Sequence, residues 1–349
     1  MKAPSEKNAL QEVMERLADL LDLPALEKRV LPQIPEADAV LDLGGHTFVI
    51  EWKGSGAAAH VALAAEQVRT HAAGLSDDVI PLVAVPFMGP VGRDRCEKAG
   101  VAWLDLSGNA HISVPGLRVL IDGQPNRFKR PGRPSSAFAP KSARIARWLL
   151  MHPSRPMTQR ELAQATDMDE GFTSRIVAKL EDDELVARGH DGAIQVRDPD
   201  LLLEAWQEDY DFSKHQILRG HMAARSGDML LKLLAEKLHD AQIPYAATGL
   251  PAAWLLTRFA AFRIVTVYLA APPRSEILER LGIRDEARGA NVWLVEPNDD
   301  GVFHGAADRD GIRCVHPVQA YLDLAAHPER AKEAAEHLRS ELLNWSFNG

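Results

Sequence analysis

Apolar residues recur at helical spacing near the start of the chain and then change to a strand-like alternation. Between residues 8 and 31, the apolar positions fall on one helical face: Leu10, Val13, Met14, Leu17, Leu20 and Leu21. Two apolar-rich runs then flank Gly44-Gly45, and a Gly-Gly pair supplies the positive φ angles that a two-residue hairpin turn needs. The pattern predicts a helix followed by a β-hairpin over residues 36–53.

The register of this hairpin brings three charged side chains together. If Leu43 pairs with His46, Asp38 lies opposite Glu51, and Lys53 projects from the same face. Opposite β residues have Cβ atoms only ~5 Å apart, so two carboxylates there repel unless a proton or a cation intervenes. Mg²⁺ would fit, since it binds one or two carboxylates with water and phosphate oxygens. Lys53 would then stabilise a phosphate transition state or position a water molecule.

An acidic residue, a hairpin and then Glu51-Trp-Lys53 together resemble the core of PD-(D/E)XK nucleases, the restriction-endonuclease-like domains. The resemblance continues through a Gly/Ala-rich stretch, a helix bearing Gln67 and a buried-strand pattern at 79–86. It implies an α/β domain over residues 1–124 in which Asp38 and Glu51 bind Mg²⁺. The implied catalytic residues are Asp38, Glu51, Lys53 and Gln67. The alternatives are an inactive binding module of the same fold and an ordinary hairpin with an exposed charged face.

Three further polar residues of this region have a functional and a structural interpretation. The resemblance implies an acidic residue on the helix before the hairpin, for which Glu12 is the candidate, although a solvated helix face is favoured. Asp105 could lie near the same site, and Asn109 could contact a phosphate. An Asn after Gly is typical of a turn, however, and the turn interpretation is favoured for Asn109.

A basic segment follows the predicted nuclease-like domain. Pro, Gly and Ser are concentrated in residues 125–140, which predicts a linker. Between residues 127 and 160 there are nine basic side chains and no acidic ones, in a chain of net charge −9. Basic residues beside a linker suit phosphate contacts, and a solvated spacer is the alternative. The DNA-contact candidates here are Arg130, Arg133, Lys141 and Arg144.

Residues 141–212 have the order of helix, helix, turn, helix and β-wing, which resembles bacterial winged-helix regulators. Thr158 and Glu161 form a capping-box pattern, and Asp169 is placed to cap the third helix. The third helix would enter a major groove and the wing would lie beside it. The DNA-contact candidates are Thr173, Ser174, Arg175, Lys179, Arg188 and His190. A pure protein-interaction module is the alternative.

Residues 213–349 predict an α/β domain that resembles a nucleotidyltransferase. Its strand Val265-Thr-Val-Tyr268 lacks the two carboxylates that hold metals in those enzymes, which predicts a degenerate, inactive domain. With the winged helix, this region resembles AbiEi-type antitoxins of type IV toxin–antitoxin systems. The resemblance is carried by the stretches 248–254, 288–295 and 311–324. It implies a DNA-binding regulator that represses its own operon and has a cognate toxin as partner, although those antitoxins usually begin with the winged helix.

Composition bounds the remaining interpretations. A chain of 349 residues predicts a multidomain α/β protein. Cys96 and Cys314 are far apart and form no CxxC motif, which indicates reduced thiols and a cytoplasmic protein. No apolar run reaches ~18 residues, so no membrane partner is expected. His304 and His316 are predicted to pack or hydrogen-bond rather than bind a metal.

These observations support three hypotheses about function. The first is a sequence-specific regulator that binds double-stranded DNA as a homodimer. The second is a Mg²⁺-dependent DNA endonuclease that the winged helix targets to its site. The third is an antitoxin that acts through protein–protein contacts of the C-terminal domain.

Overall fold

The structure is a computed structural model that describes residues 4–21, 29–30, 37–75, 79–128, 137–272, 275–285, 288–325 and 327–345. The chain divides into two compact units. The first covers residues 1–135 together with 182–185, and the second covers 136–181 and 186–349. The sequence predicted a linker at 125–140 and separate domains on either side of residue 212. In the structure the second unit begins at residue 136 and includes both of those domains, except for residues 182–185.

The first unit is a mixed sheet with helices on both faces. Its helices are α1 (Glu6–Leu20), α2 (Ala58–Ala73) and α3 (Pro90–Lys98). Its strands are β1 (Arg29–Val30), β2 (Ala39–Leu43), β3 (His46–Trp52), β4 (Val79–Val85), β5 (Ala102–Asp105), β6 (Ala110–Val114) and β7 (Leu117–Ile121). Within the described residues the strands lie in sequence order from β1 to β7, and only the β3–β4 and β4–β5 pairs are parallel.

Side-chain alternation along β3 divides the first unit into two apolar layers. Phe48 and Ile50 belong to the layer that α1 covers. Val49 points to the opposite layer, where α2 contributes Val61 and Val68. A strand with a helix over each face buries both sets of side chains, and residues 48–52 are buried in succession.

The second unit begins with a three-helix region and a β-wing. Its elements are α4 (Ala143–Met151), α5 (Gln159–Ala165), α6 (Glu170–Asp182), β8 (Val186–Arg188) and β9 (Ile194–Val196). The wing strands pair with each other, and Met157 adds a single antiparallel bridge to Ile194. This order is the one the sequence predicted. Phe138 stacks on Trp206 at 6.2 Å between ring centroids, so the end of the predicted linker is packed into this unit.

The remainder of the second unit is a mixed sheet with helices. The helices are α7 (Pro199–Asp209), α8 (Gly227–Asp240), α9 (Gly249–Thr257), α10 (Ser275–Leu281), α11 (Pro317–Leu324) and α12 (Ala331–Leu342). The strands are β10 (Gln216–His221), β11 (Tyr245–Thr248), β12 (Val265–Leu269), β13 (Arg284–Asp285), β14 (Val292–Glu296), β15 (Ala307–Arg309) and β16 (Ile312–Cys314). Their order is β13-β10-β14-β12-β11-β16-β15, and every residue of the central strand β12 is buried.

Candidate functional site

The hairpin of the first unit has the predicted register. Leu43 pairs with His46, and Ala39 pairs with Ile50, so continuing the ladder by one residue places Asp38 opposite Glu51. Gly44 and Gly45 both have positive φ, as a tight two-residue turn requires. Oδ2 of Asp38 accepts a hydrogen bond of 2.8 Å from the backbone N–H of Trp52, which holds the carboxylate against the hairpin.

Glu51 is a buried carboxylate with one satisfied and one unsatisfied oxygen. Its side chain lies on the α2 side of the sheet, as Val49 does, and the residue is only 6% exposed. Oε1 accepts a hydrogen bond of 2.7 Å from Nζ of Lys53. Oε2 has no hydrogen-bond partner within the described residues, and neither has the buried Oε1 of Gln67. A buried oxygen without a donor costs free energy unless a cation or water satisfies it.

The other polar candidates of the first unit have structural positions. Glu12 belongs to α1, which covers the sheet face opposite to Glu51. Asp105 is fully buried, and Oδ1 accepts hydrogen bonds from the backbone N–H groups of Gly108 and Asn109. The amide of Asn109 donates to Oδ2 of Asp105 and to the carbonyl of Gln124. These bonds hold the β5–β6 turn, which agrees with the turn interpretation of Asn109.

Two helix N-caps fix the starts of α5 and α6 in the winged-helix region. The Thr158 side chain accepts from the N–H of Glu161, whose carboxylate accepts from the N–H of Thr158 at 2.8 Å. This capping box fixes the start of α5. Oδ1 of Asp169 accepts from the N–H of Phe172 at 2.7 Å and fixes the start of α6. Both caps were predicted from the sequence, and both are present.

An exposed aromatic–cation cluster lies at the N-terminal part of α6. The ring of Phe172 is half-buried, and the guanidinium carbon of Arg175 lies 5.6 Å from its centroid. Nζ of Lys141 lies 5.9 Å from the same ring. Lys141 and Arg175 are both exposed, Ser174 is half-buried, and His190 is exposed in the wing turn. Lys141, Arg175 and His190 are therefore accessible at the surface.

Two of the predicted DNA contacts have side chains that are engaged within the fold. Thr173 is fully buried, and its hydroxyl donates to the carbonyl of Asp169 at 2.9 Å. Arg144 forms a bidentate ion pair with Asp299 at 2.7 and 2.9 Å, and this pair raises the pKa of Arg144. A hydroxyl or guanidinium held in this way is not presented to a partner molecule.

The remaining predicted DNA contacts differ in their exposure and in the contacts that their side chains make within the protein. Arg188 is exposed but forms an ion pair of 2.9 Å with Glu181. Lys179 is half-buried on α6 and has contacts within the fold. Arg130 and Arg133 lie outside the described residues. Arg147, which the sequence placed in the basic run, is 3% exposed and therefore belongs to the interior.

A buried polar network, which sequence reasoning did not predict, joins the winged helix to the C-terminal sheet. Nη2 of Arg147 in α4 donates to Oε1 of Gln319 at 2.6 Å, and Nε2 of Gln319 donates to Oδ1 of Asp323 at 2.8 Å. The guanidinium also stacks over Trp206, 5.0 Å from the ring centroid. The other side chains that donate to Asp323 are Tyr210, Thr248 and Tyr268. Burial raises the pKa of Asp323 to about 6.

The polar side chains of β12, the strand over residues 265–269, are engaged in packing and hydrogen bonds. Thr266 and Tyr268 are fully buried. The Thr266 hydroxyl lies 2.9 Å from Nε2 of His327, and the Tyr268 hydroxyl donates to Asp323 at 3.0 Å. These hydroxyls are used to join β12 to α11 and the residues after it.

The two histidines that were considered as metal ligands have packed positions. Nδ1 of His316 accepts from the N–H of Val318 at 3.2 Å and caps α11. Burial lowers the pKa of His316 to about 4, and it also lowers the pKa of His304. Among the described ranges there is no group of three or more His, Cys, Asp and Glu side chains placed to bind a metal. Nor does the described chain contain a helix that is both long and apolar enough to span a bilayer.

Two family models match segments that lie almost entirely in the second unit. Residues 138–193 match the model of the MarR family. Residues 195–344 match the model described as "Transcriptional regulator, AbiEi antitoxin, Type IV TA system". Comparisons with curated proteins and with solved structures found no significant match. The predicted resemblance is thereby confirmed for these segments: residues 138–193 are similar to the MarR family and residues 195–344 to AbiEi antitoxins.

Proposed function

We propose that this protein is a sequence-specific, DNA-binding transcriptional regulator of antitoxin type. The two family matches support a DNA-binding regulator of a type IV toxin–antitoxin system. The observation that carries the finer proposal is the exposed cluster of Lys141, Phe172 and Arg175 at the start of α6. The aromatic ring restricts both cations, so less side-chain entropy is lost when they engage phosphates or base edges.

Within this proposal the accessible and partly accessible residues have distinct roles. Arg175 and Ser174 contact base edges or phosphates in the major groove, and Lys141 contacts the flanking backbone. His190 in the wing approaches an adjacent groove or phosphate. The cognate toxin is the proposed protein partner of the C-terminal region. Two copies of the chain on a palindromic operator would place two α6 helices about one DNA turn apart.

Arg175→Ala is expected to weaken binding to the protein's own upstream DNA by about tenfold or more. The binding constant K should also depend less steeply on salt: the magnitude of the slope of log K against log salt should fall by about one. The reason is that one cation fewer releases a counterion from the DNA. Fluorescence anisotropy at several salt concentrations measures both quantities.

Lys232→Ala is the matched control, since Lys232 is exposed on α8 outside the winged helix. It should leave the affinity and the slope unchanged. Equal binding by the wild type and Arg175→Ala would show that α6 is not the recognition helix. Absence of binding by the wild type at low salt would overturn the DNA-binding proposal itself.

A second candidate function, a Mg²⁺-dependent endonuclease, is supported by the unsatisfied Oε2 of Glu51. The register that places Asp38 opposite Glu51 supplies two carboxylates, and Lys53 lies two residues further along. This donor set fits Mg²⁺, which takes few protein carboxylates and keeps several waters. The ion would polarise a phosphate, while Lys53 stabilises developing charge.

If the nuclease proposal is correct, Lys53→Ala should reduce Mg²⁺-dependent cleavage of plasmid DNA by about 100-fold or more while DNA binding is retained. Glu51→Gln should abolish the increase in melting temperature that Mg²⁺ produces. The matched control is Lys98→Ala, which removes an exposed cation on α3. Intact plasmid with the wild-type protein in Mg²⁺ would eliminate this second candidate and leave the regulator proposal untouched.

A further inference from the structure

β7 forms an edge of the sheet in the first unit. It pairs with β6 on one side, and the described residues contribute no strand to its other side. The strand contains no proline, and its fourth residue, Leu120, is 62% exposed. An apolar edge strand offers unpaired N–H and C=O groups to another strand unless its sequence prevents pairing.

The two faces of β7 have different chemistry. Leu117 and Val119 are partly buried against the apolar layer that α1 covers. On the other face Arg118 and Leu120 are exposed, and Asp122 follows immediately with its side chain 63% exposed. A strand paired with β7 would therefore extend the apolar layer on one face of the sheet. On the other face its side chains would lie beside Arg118, Leu120 and Asp122.

We propose that β7 pairs antiparallel with β7 of a second copy of this chain, about a two-fold axis at Leu120. In this register Leu120 lies opposite its own copy, and Val119 lies opposite Ile121. Arg118 lies opposite Asp122 of the second copy, and the symmetry repeats this pair at the other end. Opposite charges in directly facing positions stabilise a ladder.

Charge pairing favours this register over the symmetric registers centred on Arg118, Val119 or Ile121. Moving the axis to Arg118 brings two arginines together. Moving it to Val119 leaves Arg118 facing Leu120, and moving it to Ile121 leaves Asp122 facing Leu120. Asp122 already binds Arg93 of its own chain, and its exposed side chain can accept from a second guanidinium. The strand is therefore complementary to itself in one register, which makes a second copy its partner.

The test uses the full-length chain and two single charge reversals. Sedimentation velocity should give the wild type twice the mass of one chain. Arg118→Glu and Asp122→Lys each place like charges opposite one another twice in the symmetric pair. Each variant alone should therefore raise the dimer dissociation constant by at least tenfold and sediment as a monomer at concentrations where the wild type is dimeric.

Mixing the two variants supplies the decisive result. In the mixed pair the two substituted side chains carry opposite charges and face each other at one end, and the native Arg118 and Asp122 face each other at the other end. The mixture should therefore recover the dimer mass, which also shows that both variants fold. A monomeric wild type, a dimer that Arg118→Glu leaves intact, or a mixture that stays monomeric would each overturn the proposal. None of these measurements involves DNA, so they are independent of the proposed regulatory function.

Discussion

Asp323→Ala is expected to lower the free energy of unfolding of the second unit by about 3–5 kcal/mol. The carboxylate is fully buried and accepts hydrogen bonds from four side chains: Tyr210, Thr248, Tyr268 and Gln319. Removing it leaves buried donors without an acceptor, and each such donor retains its desolvation cost. Removing the carboxylate also interrupts the chain of hydrogen bonds that runs from Asp323 through Gln319 to Arg147 on α4, the first helix of the winged-helix region.

Thermal and urea unfolding measure this loss. A decrease of about 3–5 kcal/mol corresponds to a melting temperature lower by ~10 °C for a unit of this size. Glu336→Ala is the matched control, because Glu336 is an exposed carboxylate on α12 and should change stability by less than ~0.5 kcal/mol. A loss below ~1 kcal/mol for Asp323→Ala would mean that the network does not hold the second unit together.

The hairpin and the winged helix were predictable because their signals are local. Gly44-Gly45 fixes a turn, and the turn fixes the register that places Asp38 opposite Glu51. Thr158, Glu161 and Asp169 mark the starts of α5 and α6 within a few residues of their partners. Interactions between residues three or four apart need no knowledge of the tertiary structure.

The sequence did not show that two of the predicted DNA contacts are engaged within the fold. Thr173 precedes Ser174 and Arg175 in the sequence, but the rotation of α6 turns its side chain into the core. Arg144 belongs to a run of basic residues, and its partner Asp299 is 155 positions away. Net charge in a sequence segment does not show which cations are already paired inside the fold.

The network around Asp323 was not predicted because its members come from distant parts of the chain. Arg147 and Gln319 are 172 positions apart. One signal was present: Asp323 interrupts the apolar run of α11, and a charged residue in such a run is rarely buried without partners. That signal indicates a buried carboxylate but not the side chains that satisfy it.

The second unit is expected to lose stability as the pH falls from about 6.5 to 4. Burial lowers the pKa of His215 and of His316 to about 4, below the ordinary value of 6.5. Between these values the unfolded chain binds a proton at each histidine that the folded chain does not bind. The stabilising contribution of each neutral histidine is therefore complete above pH 6.5 and is lost as the pH falls, by up to ~3 kcal/mol each.

Asp323 acts in the opposite direction over nearly the same range. Burial raises the pKa of Asp323 from 3.8 to about 6, so near pH 5 the folded chain holds a proton there that the unfolded chain has released. Its contribution to stability grows as the pH falls. Four histidines of the second unit have lowered pKa values (His215, His304, His316 and His327), and they oppose the one carboxylate Asp323. The net effect is therefore a loss of stability on acidification, and each net proton corresponds to ~1.4 kcal/mol per pH unit.

Two variants separate these contributions through urea unfolding at pH 7, 6 and 5. His316→Asn should remove one titrating group while an asparagine still caps α11, because its side-chain oxygen accepts from the N–H of residue 318. Its stability should therefore change less between pH 7 and 5 than that of the wild type. Asp323→Asn removes the opposing group, so its stability should fall more steeply with acid. Equal pH slopes for the wild type and both variants would show that neither the histidine nor the carboxylate changes its proton affinity on folding.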